Sequence, residues 1–460
     1  MKKVLIITDT FPPYKHIGRF RIQQFAKYLT DFGWEPIILT PTSSYLWEKD
    51  DSLLKEIPPN LRVYRPFMPP TLPAMLRNIK ESIRKKDQTE KEKISSNKSI
   101  RPSSKKTGIK AFLSNCINSY TRFVNKHILI PGSQILWLPF AVIKGIKIIR
   151  RFDVDVIFSS VPVYSNHIVA YFLKIITRKS WVSDYRDLWT NDVTRRKRFT
   201  SFRNNFERVI EKELLQNMDC ITFISSQMIP VISSEFPDIS FRNTAIITNG
   251  FDPEMMSGLT VKYIKGEYFN ILYTGRITPH RHHNLFLPSV GKLISANADL
   301  KRDLKLVFIG QILEQEKVHF DKIVNNYSMQ KNIIISSWLA HQEILMRQRQ
   351  ADILLLIVDD VKFANVMLPG KVFEYIVSKR PILTLAPEGD TKTTIEKTRT
   401  GFVVPPKNEE MIQKAILHYY QLWENNQLFI NPDWKEINKF NRVNLTKKLV
   451  NLLNTIVQNS

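Results

Sequence analysis

The sequence predicts an α/β protein built from two doubly wound parallel-sheet domains, one after the other. Three observations predict it. The first forty residues read strand, helix, strand. A second alternating set begins near Tyr268. In both sets the strands are short, nearly continuous apolar runs, such as Ile-Leu-Leu-Leu-Ile-Val at 353–358, the pattern of strands buried on both faces. A chain of 460 residues is too long for one core, so two domains are expected.

The opening unit is explicit. Residues 4–8 form a strand, and 10–17 a loop with Pro12 and Pro13. Gly18 opens a helix whose apolar residues Ile22, Phe25, Ala26 and Leu29 follow the i, i+3, i+4, i+7 stripe. Gly33 suits the left-handed position that closes a helix, and 35–40 is the next strand. Alternation resumes with a strand at 154–160, a helix at 165–176, a strand at 181–184, a long helix at 200–217 and strands at 220–225 and 244–248. The second set places strands at 270–274, 304–309, 333–336, 353–358, 382–386 and 401–404. Helices separate them, including 342–350 and 372–379, and the tail from 409 is helical. The expected domains are therefore 1–260 and 261–430, followed by a closing segment at 431–460. Ligands of such sheets lie beyond the C-terminal strand ends, so the site is expected in the cleft between the domains.

Composition narrows the class. A hydrophobic fraction of 43% places the chain among globular proteins. Two cysteines, Cys116 and Cys220, build neither a disulfide framework nor a cysteine metal site, which suits a reducing cytoplasm. The apolar stretch at the N-terminus is four residues long and runs into Asp9, so it reads as a first strand and not as a signal peptide. The longest apolar stretch, 128–149, is interrupted by Pro131, Gln134 and Lys144 and reads as a half-buried helix or an interfacial segment.

The net charge of +24 calls for an anionic partner: nucleic acid, lipid or a phosphorylated small molecule. With no zinc-finger spacing, aromatic RNA-binding motif or helix-turn-helix pattern, nucleic acid is the weakest of the three. Part of the excess is concentrated at 77–110, where twelve Lys/Arg and four Asp/Glu give a net +8. This segment reads as a weakly helical or mobile basic insertion.

Three constellations carry the chemistry. At 368–374, Leu368-Pro369-Gly370-Lys371 leads from a strand into a helix with Glu374 in its first turn. Gly370 lets a ligand approach the backbone, and Glu374 can accept two ribose hydroxyls. Gly275 and Arg276 end the first strand of the second domain, with Arg281 five residues on. Two guanidinium groups in one loop suit a pyrophosphate. His280, His282 and His283 stand beside Arg281, but their spacing matches no zinc pattern. Asp184-Tyr-Arg-Asp187-Leu-Trp189 follows a first-domain strand. Its acids and Arg186 can pair with each other and still leave one carboxylate for a sugar hydroxyl. Gly18, with Arg19 and Arg21 beside it, offers a weaker phosphate approach. A nucleophile elbow, a Walker A loop and GxGxxG are all absent.

Together these fragments resemble the bacterial glycosyltransferases of family 4. The resemblance rests on Phe11-Pro-Pro with Gly18 and Arg21, Ser183-Asp-Tyr-Arg-Asp-Leu-Trp, Ile247-Thr-Asn-Gly-Phe-Asp, Tyr273-Thr-Gly-Arg-Ile and Leu368-Pro-Gly-Lys-Val-Phe-Glu-Tyr. It implies a GT-B fold with a C-terminal helix crossing back to the first domain. It also implies retaining transfer from a nucleotide-diphosphate sugar with no obligatory metal or other cofactor. By the family's pattern Arg276 and Arg281 hold the donor diphosphate, Glu374 holds the ribose, and Trp338 and Leu339 border the base. The first domain, with Asp184 and Asp187, takes the acceptor, expected to be polyprenyl-linked or an oligosaccharide. The expected location is the cytoplasmic face of the membrane, on anionic lipid. One departure stands out: the family often has Glu eight positions before the ribose Glu, and here that position is Val366. An alternative is therefore an inactive sugar-nucleotide-binding or scaffold protein of the same fold.

Overall fold

The computed structural model describes residues 1–458 apart from 17, 43–46, 72–74, 76–118, 121–122, 125–126, 242, 260, 279–282 and 359–360. The basic insertion at 77–110, Cys116, His280, Arg281 and His282 lie outside the described residues. The chain forms two compact units. One comprises Met1–Thr222, Glu235–Ala245 and Val450–Ser460; the other comprises Phe223–Ser234 and Ile246–Leu449.

The first sheet has seven strands: β1 (Lys2–Ile7), β2 (Trp34–Leu39), β3 (Arg62–Tyr64), β4 (Val156–Ser160), β5 (Ser180–Tyr185), β6 (Cys220–Phe223) and β7 (Thr244–Ile246). Their order is β3-β2-β1-β4-β5-β6-β7. β1 runs parallel to β2 and to β4, pairing Val4 with Pro36 on one side and with Val156 on the other. Every residue of β4 is buried, as a strand covered on both faces requires. Pro36 is tolerated in β2 because pairing with β3 begins only at Ile37. β3 was not expected from the sequence; its three residues, Arg62 exposed and Val63 and Tyr64 half-buried, carry no apolar run.

The helix Arg19–Tyr28 buries Ile22, Phe25 and Ala26, the stripe read from the sequence. It runs into a 3-10 turn that Gly33 closes at φ 79°. The expected apolar segment at 128–149 becomes a short 3-10 turn, Ser133–Trp137, and a helix, Leu138–Phe152, with Ala141, Gly145, Ile148 and Ile149 buried. Gly145 sits against Leu173 of the helix Ser165–Thr177; a Cβ there would lie 2.6 Å from Leu173 Cδ1. No helix among the described residues is long and apolar enough to cross a membrane. At the chain's end, Asn454 accepts hydrogen bonds from Lys2 Nζ (3.0 Å) and Trp34 Nε1 (3.3 Å), anchoring the last residues in the first unit.

The second sheet has six strands: β8 (Phe269–Ile277), β9 (Leu304–Ile312), β10 (Ile333–Ser336), β11 (Ile353–Ile357), β12 (Ile382–Leu385) and β13 (Gly401–Val404). They are ordered β10-β9-β8-β11-β12-β13, and neighbouring pairs run parallel. Its core is built on Phe269, Leu306, Leu355, Leu383 and Ile416. In both sheets the strand order reverses at an inner pair, β1/β4 and β8/β11. The crevice beyond the C-terminal strand ends at such a point is where doubly wound sheets take ligands.

Candidate functional site

In the second unit the reversal point gathers residues from three segments. β8 and β9 meet closely at its end, where Gly275 is paired with Gly310. Gly275 has φ +130° and Gly310 φ +141°, and a Cβ on Gly310 would lie 2.2 Å from the Gly275 carbonyl oxygen. Only glycine fits both demands. Arg276 follows, exposed and without an ion pair among the described residues. Tyr273 Oη donates to its carbonyl at 2.8 Å.

The segment after β11 closes over this strand end. Lys371 Nζ donates to the Thr274 carbonyl at 2.7 Å and lies 4.0 Å from the centre of the Tyr273 ring. Tyr375 Oη accepts from the Thr274 N–H at 3.2 Å and bonds its hydroxyl at 3.0 Å. The sequence suggests a helix over 372–379, but the regular helix is only Lys371–Tyr375. Its first turn is already partly satisfied: Val372 N–H donates to Pro369 O at 3.0 Å and Phe373 N–H to Gly370 O at 3.3 Å. Gly370 has an ordinary φ of −54°, with open space where a Cβ would stand. Leu368 is buried in the core beneath.

Glu374 points out of this short helix and is held from the side. His341 Nε2 lies 2.9 Å from its Oε1, and Gln348 Nε2 donates to its Oε2 at 3.1 Å. Both partners come from the helix His341–Gln350. That helix also brings the loop before it to the site. Trp338 there is exposed and Leu339 is packed on the core. Gly275, Arg276, Lys371, Glu374 and the 338–339 loop thus lie at or after the C-terminal strand ends of one sheet. His341 and Gln348 were not singled out from the sequence. A signal did exist: Gln348 is a polar residue in the buried stripe of Ile344 and Leu345.

The first unit organises Asp184 differently from the local pairing the sequence suggested. Its carboxylate is completely buried at the end of β5 and makes a two-pronged pair with Arg21, Nε to Oδ2 at 2.9 Å and NH2 to Oδ1 at 2.7 Å. Ser160 Oγ (2.7 Å) and Thr222 Oγ1 (2.8 Å) also donate to it. Burial pushes this carboxyl up, but the charge and hydrogen bonds of Arg21, with help from Ser160, hold it below the usual carboxylate range. Arg186 instead donates to the carbonyls of Val161 and Gly18, the latter at 2.8 Å. Gly18 and the 184–189 loop are therefore brought together, and a Cβ on Gly18 would meet His16 Nδ1 at 2.9 Å.

Asp187 is exposed, yet lost solvation on its protein side pushes its pKa up against the opposing charge of Arg186. Behind it the loop is fastened. Trp189 stacks on Tyr164 at 4.3 Å and donates to Glu207, while Thr190 donates twice to Glu211.

With this geometry in view, comparison with known proteins is informative. Residues 268–421, nearly the whole second sheet and its helices, match the family model described as glycosyl transferases group 1. No curated protein matches the chain. Among solved structures, sucrose-phosphate synthase from Thermosynechococcus elongatus is similar at a TM-score of 0.63 and 13% identity, with 100% of both chains covered. A glycosyltransferase from Rickettsia africae gives 0.60 and 14%, covering 100% of this chain and 99% of that one. Anabaena HepE in complex with UDP gives 0.61 and 12%, covering 99% and 100%. The two parallel-sheet units thus match GT-B glycosyltransferase structures, and the fold class is GT-B.

Proposed function

We propose that the chain is a retaining glycosyltransferase that moves a sugar from a nucleotide-diphosphate donor to a lipid-linked or surface-polysaccharide acceptor. The observation that carries this reading is Glu374. An acceptor-only carboxylate is fixed by His341 and Gln348 beside a strand end that has no side chain at Gly275 and an exposed guanidinium at Arg276. The family match over the second unit and the UDP bound in HepE support it.

In this reading Glu374 accepts the ribose hydroxyls and the 338–339 loop borders the base. Arg276 and Arg281 take the diphosphate. Lys371 props the strand end, Leu368 anchors the turn in the core, and Pro369 and Gly370 shape the wall beside the donor. Stabilising the departing diphosphate by fixed positive charge is the main catalytic contribution, and the reaction calls for no resident metal. In the first unit Asp187 meets the acceptor hydroxyl, where a raised pKa suits a group that takes up a proton. Asp184 positions that loop through Arg21. The acceptor is membrane-borne, and the basic segment at 77–110 contributes to attachment on the cytoplasmic leaflet.

A thermal-shift screen against sugar nucleotides tests the donor assignment, since a ligand specific for the folded state raises its apparent stability. Donor hydrolysis without acceptor tests catalysis. One observation favours a second reading, an inactive sugar-nucleotide-binding protein. Val366 is a buried aliphatic residue, so it offers no carboxylate to the sugar. Donor binding without hydrolysis or transfer would select that reading.

A further inference from the structure

Two consecutive helices of the first unit present apolar side chains to solvent where a soluble surface would carry polar ones. On Leu138–Phe152 these are Phe140 (39% exposed) and Ile143 (56%). On Ser165–Thr177 they are Phe172 (40%), Ile175 (51%) and Ile176 (47%). The helices pack on one another where Gly145 meets Leu173, adjacent to Phe172. Phe140 is extended by Phe67, itself exposed, whose ring stands edge-on to it at 5.4 Å.

Cations dominate the charge on the two helices. Leu138–Phe152 carries Lys144, Lys147, Arg150 and Arg151 and no acid. Ser165–Thr177 carries Lys174 and no acid, and Arg178 and Lys179 follow it. Some of these are occupied: Lys174 pairs with Asp219, Lys179 with Asp153, and Lys144 lies over the Tyr64 ring. Lys147, Arg150 and Arg178 make no ion pair among the described residues. Lys147 and Arg150 lie on the outward face with Phe140 and Ile143.

We infer that this helix pair is a membrane-docking face that seats on anionic phospholipid. Exposed aromatic and branched aliphatic side chains enter the acyl boundary, and the flanking cations meet headgroup phosphates. These two signals together give stable peripheral attachment. Charge complementarity selects this occupant. A second copy of the same face would set cation against cation, and the segment at 77–110, net +8, would do the same. The inference does not depend on which sugar is transferred or on whether transfer occurs.

The test is co-sedimentation of the full chain with phosphatidylcholine vesicles, with and without phosphatidylglycerol, at low and high salt. The intact chain is expected to bind the anionic vesicles and to release as salt rises. Each basic residue near such a surface contributes a factor of about five in affinity, so Lys147→Glu with Arg150→Glu is expected to weaken binding by roughly thirtyfold or more. Ile143→Glu with Phe172→Glu is expected to cost at least about tenfold, since it removes the buried apolar area. All four positions are exposed, and an unfolding midpoint that matches the intact chain in both variants reports that they fold. Three results overturn the inference: the intact chain ignores anionic vesicles; both double variants bind as the intact chain does; or deleting 80–110 abolishes binding that the helix variants leave intact. Loss of self-association in the Ile143→Glu, Phe172→Glu variant without vesicle binding by the parent assigns the face to a second copy and also overturns it.

Discussion

Arg21 and Asp184, 163 residues apart, form a completely buried bidentate ion pair at the reversal point of the first sheet. Each comes from a segment next to a glycine or an acid that the sequence marks as functional. The pair sits beneath them and fixes where they stand.

Breaking it from one side leaves a charge buried without its partner. Asp184→Leu is expected to destabilise the first unit by about 3–5 kcal/mol in urea unfolding. Pairing it with Arg21→Met is expected to recover most of that loss, because two apolar side chains remove both desolvation costs. A double variant as unstable as the single one would show that the residues do not act as a unit.

Arg276 is expected to read phosphate and not nucleoside. Losing a charge-assisted contact of about 1.5–3 kcal/mol predicts that Arg276→Ala weakens binding of the bare nucleoside diphosphate roughly tenfold to a hundredfold. Affinity for the matching nucleoside should stay nearly unchanged. Equal losses for the two ligands in calorimetry would remove the assignment.

Glu374→Gln keeps the shape of the side chain and replaces the acceptor-only carboxylate with an amide. Donor binding is expected to fall, and the preference for a ribo- over a 2′-deoxyribonucleotide to shrink. His341→Ala frees Oε1 of Glu374 and is expected to weaken the same preference by a smaller factor. An unchanged preference in Glu374→Gln would leave that carboxylate only a helix-start residue.

Glu211 and His167 predict opposing pH dependences of stability. Burial raises the Glu211 carboxyl from 4.5 to about 7, only partly offset by its hydrogen bonds from Thr190. The folded chain then holds the proton more tightly, so its contribution is full below pH 4.5 and is lost as pH rises to about 7. Burial lowers His167 from 6.5 to about 3, so its contribution is full above 6.5 and is lost on acidification towards 3. Between 4.5 and 6.5 the two slopes cancel in part. Glu211→Gln is expected to gain roughly 1–3 kcal/mol at mildly alkaline pH and to unmask the acid sensitivity of His167. A variant whose midpoint follows the parent at every pH would refute this.

The sheets were legible because buried parallel strands announce themselves as apolar runs, and β4, β11 and β12 are buried along their whole length. β3 was not, since Arg62, Val63 and Tyr64 offer neither a run nor an alternation. The helix after Gly370 is shorter than its apolar pattern suggests because the chain turns after Tyr375 into β12. At the site, Gly275, Arg276, Lys371 and Glu374 could be nominated from local pattern alone. Their supports could not. Local spacing favoured Arg186 as the partner of the acidic loop, whereas Asp184 takes Arg21 from a distant helix and Arg186 reaches backbone carbonyls. His341 and Gln348 meet Glu374 through packing between helices; the polar Gln348 in an apolar stripe marks itself, but no spacing names its partner.

The paired glycines at 275 and 310 set limits on redesign. Fourteen glycines serve 460 residues, and two of them face each other across β8 and β9. Random mutagenesis at 310 should return almost no folded clones, because any side chain collides with the Gly275 backbone as well as straining its own, and at 275 it strains its own backbone and crowds Lys371 Nζ at 3.0 Å. Libraries meant to change what the protein accepts should therefore hold these two positions constant. Their diversity belongs at the exposed flanks, Trp338 and Gly370, where a new side chain meets open space.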